Sequence, residues 1–90
     1  MGAEMSEPAS VFLMKLEDAA TVSRVLDLLH VQGARLQRLE LAPEGGGFCV
    51  RVETCDLAVS RAPVVASRLE RLVDVSDLTF GFVGAATTGG

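Results

Sequence analysis

Hydrophobic residues in this chain follow two periods, and the switches between them mark the elements. Val22, Val25, Leu26 and Leu29 recur at i, i+3, i+4 and i+7, which gathers them on one helical face. Asp18 stands where a short carboxylate can cap the first turn, and Gly33 where only glycine takes a left-handed stop cheaply. The pattern predicts a helix over 19–32. Before it, 10–16 alternates: Phe12, Met14 and Leu16 point one way, Val11, Leu13 and Lys15 the other. Both faces are largely apolar, as in a central strand. After the helix, 34–42 reads as a second strand with Leu39 and Leu41 on one side and Leu36 on the other. Pro43 and three glycines then make a loop. A hairpin loop is a better reading there than a phosphate loop, because a strand follows rather than a helix N-terminus. Residues 48–54 alternate cleanly, with Phe48, Val50 and Val52 against Cys49, Arg51 and Glu53.

A second helix follows, with Ser60 as its cap and Pro63 in its first turn, where a missing N–H is tolerated. Its apolar stripe is Val65, Leu69, Leu72 and Val73, with Ala66 beside them. Arg61, Arg68, Glu70 and Arg71 read as a solvated face. The last strand, 75–83, aligns Leu78, Phe80 and Phe82.

The order β-α-β-β-α-β is the ferredoxin-like split arrangement, an α+β fold. Right-handed crossovers put both helices on one face of a four-stranded antiparallel sheet, with strands one and three central. One domain is expected over 10–83, between a disordered tail at 1–9 and a flexible tail at 84–90. The other sheet face is expected to carry Val11, Leu13, Leu36, Cys49 and Val83. So apolar a face predicts a homodimer or another partner.

Eight basic and twelve acidic residues give a net charge of −4, a poor match to a nucleic-acid backbone. RNA-recognition domains share the topology but need aromatics on the central strands, and these strands offer Val, Leu, Cys and Glu there. The apolar runs are too short for a membrane helix, and the acidic first ten residues are no signal peptide, so a cytoplasmic protein is expected. The start MGAEMS fits a loose acylation pattern, but no second membrane signal accompanies it. Cys49 and Cys55 with one histidine make no zinc site, and they are expected as reduced thiols. His30, near a helix end with no acid beside it, reads as a surface residue rather than a catalyst. The terminal Gly89-Gly90 admits a carrier protein, the lowest-ranked reading, since such folds open with a hairpin before the helix.

Two segments resemble the small regulatory subunits of acetolactate synthase. In TVSRVLDLLHVQGARLQRLELAP the matching positions are Ser23-Arg24-Val25, Gly33, Leu39, Ala42 and Pro43. In RLERLVDVSDLTF they are Leu69, Leu72, Val73, Asp74 and Val75, and the resemblance spans roughly 10–83. It implies an ACT domain that dimerises, and a non-catalytic partner for the large catalytic subunit of branched-chain amino-acid synthesis. Thiamine diphosphate, magnesium and FAD would belong to that catalytic partner, and this chain would bind no cofactor. The resemblance also implies an effector site at Glu17, Asp18, Ala19, Ala20 and Thr21, with Arg35 and Leu36, for a branched-chain amino acid. Ala20 stands at the family's glycine position, Glu17 at its loop asparagine and Arg35 at its strand-two asparagine. The added methyl and a like charge oppose a ligand carboxylate, although Arg35 attracts one. The short chain resembles the valine-insensitive type. The alternative is a free-standing amino-acid sensor.

Overall fold

The structure, a computed structural model, describes residues 9–83. The Gly2 acylation pattern, Gly89-Gly90 and nearly all of both expected tails lie outside those residues. The elements are β1 (Ala9–Leu16), α1 (Thr21–Val31), β2 (Arg35–Glu44), β3 (Gly47–Cys55), a 3-10 turn (Val59–Arg61), α2 (Ala62–Glu70) and β4 (Val75–Val83). The sheet order is β2-β3-β1-β4, with every neighbouring pair antiparallel. This is the expected ferredoxin-like βαββαβ arrangement, with β1 and β3 central.

The core lies between one sheet face and both helices. Phe12, Met14 and Leu16 of β1 and Val50 and Val52 of β3 pack with Val25 and Leu29 of α1 and Val65, Ala66 and Leu69 of α2. Leu57 and Ala62, in a stretch whose sequence reads as irregular, are also buried there. Each such aliphatic side chain contributes about 1.5–3 kcal/mol when fully buried.

Local chemistry explains several boundaries. At the end of α1, Ala34 N–H donates to the Leu29 carbonyl at 3.0 Å and Gly33 N–H to the His30 carbonyl at 3.0 Å. Gly33 has φ +86°, so this is a Schellman stop that requires its left-handed conformation. The β2–β3 loop is tighter than expected. Pro43 and Glu44 belong to β2, Glu44 pairs with Gly47, and Gly45 turns the chain with φ +61°. Proline is tolerated because β2 is an edge strand, half of whose backbone groups need no sheet partner.

Four expectations are corrected. First, Asp18 and Ser60 do not cap the helices. The N-caps are Ala20 and Arg61, without side-chain cap bonds, and α1 spans Thr21–Val31 rather than 19–32. Second, Val73 does not belong to the buried stripe. Because α2 ends at Glu70, Val73 falls in the following turn and is 98% exposed. Third, Ala9 is part of β1, not of the tail.

Fourth, the open sheet face is not the apolar surface expected. The register places Arg38 and Glu40 of β2 beside Arg51 and Glu53 of β3 on that face. Arg38 pairs with Glu40 at 3.0 Å and Arg51 with Glu53 at 2.9 Å. Val11 is already buried and Cys49 half-buried, which leaves Leu13 and Val83 as its exposed large apolar side chains among the described residues. Leu36 is on the opposite face. The register shifts between Leu36 and Arg38, so Leu36 sits across from buried Thr54 and Leu39 across from buried Val52. One extra residue in a strand reverses its alternation, and Leu36 therefore joins Leu39 and Leu41 on the helix side.

Candidate functional site

Residues Glu17 to Ala20 form the loop between β1 and α1, and the chain organises it around a carboxylate from elsewhere. β4 runs antiparallel to β1, with Val75 opposite Leu16. Asp74, one residue before Val75, is thereby delivered to the point where β1 turns into the loop. Both Asp74 oxygens accept from Glu17 N–H at 3.1 Å. Oδ2 also accepts from Asp18 N–H at 2.9 Å and from the Thr21 hydroxyl at 2.8 Å. Asp18 has a local task instead of a helix cap, its Oδ1 accepting from Ala20 N–H at 2.9 Å.

These bonds tune Asp74. The Asp18 N–H, then the Thr21 hydroxyl and, least, the Glu17 N–H hold its pKa below the ordinary carboxylate value, while desolvation opposes them by more than the Glu17 N–H contributes. The charged form is the one the loop favours, as anions are at the start of a helix.

Beside the loop lies a concavity of about 340 Å³ whose walls include Glu17, Thr21, Arg24, Leu72 and Asp74. Arg24 is the cation in that lining. Ala20 is there as well, but Arg35 and Leu36 are not. The loop precedes α1 and Arg35 follows it, so the eleven residues of the helix, about 16 Å, separate them. Arg35 instead contacts Asp56 at 3.3 Å. Of the seven residues expected at an effector site, one protomer therefore assembles Glu17 to Thr21 and leaves Arg35 and Leu36 apart.

The residue that sequence reasoning missed is Asp74. It stood in a recognised segment without a role. The available signal was topological: in this fold the start of β4 must lie against the end of β1. A second, larger concavity of about 790 Å³ runs between the helices, with Leu28, Val31 and Val64 alongside Arg68 and Arg71. Cys49 and Cys55 are free thiols on β3, and His30 is exposed near the end of α1. Among the described residues, no group of three His, Cys, Asp or Glu side chains is placed to hold a metal ion. No helix among them is long and apolar enough to cross a membrane.

No family model and no curated protein sequence matches this chain. Solved structures do. The ACT domain of GTP pyrophosphokinase from Chlorobium tepidum superposes with a TM-score of 0.68 at 8% identity, over 86% of this chain and 100% of that one. Its solution structure gives 0.66 at 8% identity, over 87% and 89%. The C-terminal domain of MgtC from Mycobacterium tuberculosis gives 0.71 at 10% identity, over 99% and 100%. At such identities the likeness is one of fold, and the chain has the ferredoxin-like fold that ACT domains use.

Proposed function

We propose that this chain is a non-catalytic regulatory module, and specifically an activating small subunit of acetolactate synthase with a weak or absent valine response. The observation that carries the reading is an ACT-like fold whose β1–α1 loop already holds a carboxylate, that of Asp74. The two resembling segments support the enzyme named. Ala20 and Glu17 support the weak response, because neither favours an incoming carboxylate. On this reading the protein works in the cytoplasm on the large catalytic chain, which carries thiamine diphosphate, magnesium and FAD. It forms a homodimer, to which the half-exposed Leu36, Leu39 and Leu41 at the β2 edge contribute.

The test is acetolactate formation by the catalytic chain with and without this protein, each with and without valine. Activation that valine leaves untouched is the expected result. Absence of any effect on the catalytic chain would remove the subunit reading. The concavity beside Arg24 supports the second reading, a free-standing amino-acid sensor. A sensor raises its melting temperature by several degrees in saturating amino acid, because ligand binding stabilises only the folded state.

A further inference from the structure

We infer that the groove between α1 and α2, on the outer side of the helix layer, is a contact for a second copy of this chain, packed about a two-fold axis that runs along the groove. This surface is distinct from the β2 edge, and the inference goes beyond the regulatory reading without depending on it. Val25 and Leu29 of α1 and Val65 and Leu69 of α2 belong to the core against the sheet. Helical spacing turns Leu28, Val31 and Val64 away from it, where they line a concavity of about 790 Å³. Val31 is 77% exposed and Val64 38%, so the protomer itself leaves this apolar strip uncovered.

The charges of the groove select its occupant. Asp27 of α1 and Arg68 and Arg71, at and just past the end of α2, line the same concavity. All three are exposed, and none belongs to the salt bridges among the described residues, whose cations are Lys15, Arg35, Arg38 and Arg51. The helices run antiparallel: Arg61 at the start of α2 donates to the Gln32 side chain at the end of α1, at 2.9 Å. Counted from that bond, Asp27 stands level with Ala66, and both arginines lie within about 8 Å of it along the axis. A two-fold axis along the groove keeps that level and exchanges the helices, so α1 of one protomer covers α2 of its partner. Asp27 of each copy then meets Arg68 and Arg71 of the other, twice over, as an isologous contact requires. Leu28, Val31 and Val64 of both copies close on one another at the centre of four helices. An acidic peptide would answer the two arginines but would set its own charge against Asp27, whereas a second copy uses all three.

The experiment is a charge exchange, read by sedimentation and native mass spectrometry. Asp27→Arg makes the groove positive throughout, and Arg68→Glu with Arg71→Glu makes it negative throughout. The substituted positions are exposed, and circular dichroism verifies that each variant keeps its fold. Each variant alone is expected to associate at least about tenfold more weakly than wild type, because like charges then face each other. An equimolar mixture is expected to regain association, with heterodimer at least about fivefold above the statistical ratio at low salt and less in excess at high salt. Contacts through the β2 edge mix the two variants statistically and cannot produce that excess. Heterodimer at the statistical ratio, or association unchanged in both variants, would overturn the inference. Wild type that stays monomeric up to about 1 mM would overturn it too. The groove would then belong to an acidic partner segment if polyglutamate shifts the Val31 and Val64 amide resonances.

Discussion

β1 and β2 present apolar side chains to the same face of one sheet, yet they end in opposite environments. Phe12, Met14 and Leu16 of β1 are sealed, whereas Leu36, Leu39 and Leu41 of β2 remain 48%, 37% and 43% exposed. Side-chain chemistry does not separate the two sets; position in the sheet does. β1 lies between β3 and β4, while β2 is at the edge with one neighbour. A leucine is buried only where another layer reaches it, so the centre of the sheet holds the fold and its edge is free for a partner.

The contrast can be broken most directly at Phe12. Phe12→Ala empties a fully buried site and is expected to cost about 3–5 kcal/mol in urea unfolding, a large share of the stability of a small domain. Leu36→Ala at the edge is expected to cost no more than about 1 kcal/mol. Equal losses would mean that β2 is covered after all.

Gly47 and Gly46 sharpen the comparison at the hairpin. A Cβ at Gly47 would run into the Leu16 carbonyl oxygen of β1, whereas one at Gly46 meets nothing within 4 Å. Gly47→Ala is therefore expected to cost about 1–3 kcal/mol as an overpacked contact, and Gly46→Ala far less. Chemical denaturation of the pair measures the difference.

At the edge itself, Leu39→Ser is expected to cost monomer unfolding about 1 kcal/mol, far less than Phe12→Ala, and to weaken self-association in sedimentation. An unaltered association constant would exclude this edge from the dimer contact.

The Asp74 contact adds a pH dependence to the junction of β1 and β4. Its folded pKa is depressed, so its contribution is fully present above the unfolded value of about 3.9 and is lost as pH falls through the lower folded value. Wild type should therefore lose more stability than Asp74→Asn on acidification below about pH 4. Urea midpoints for both proteins at neutral and acidic pH check this; parallel losses would count against the contact. The smallest effect is expected at Ser10, which is buried with its hydroxyl unpartnered. Ser10→Ala should be neutral or slightly stabilising by thermal melt, since it removes an unpaired polar group.

The candidate site shows where reading the chain succeeds and where it stops. The β1–α1 loop was visible from its place between a strand of period two and a helix of period 3.6, and Gly33 from its role as a stop. The Asp18 cap failed because the carboxylate that serves this loop arrives from the start of β4, far away in sequence. Alternation places Leu36 on the open face because it assumes an unbroken strand, whereas the register shift beside Gln37 is a property of the pairing with β3.

Period, turn chemistry and element order are local quantities, and they sufficed for six elements, the antiparallel sheet with β1 and β3 at its centre, and most of the core. Strand register, the charged character of the open face and the seat of the Asp74 carboxylate depend on which distant residues become neighbours. Those were decided only when the chain closed on itself, because hydrogen-bond pairing between strands, not the pattern along any one of them, sets where each side chain arrives.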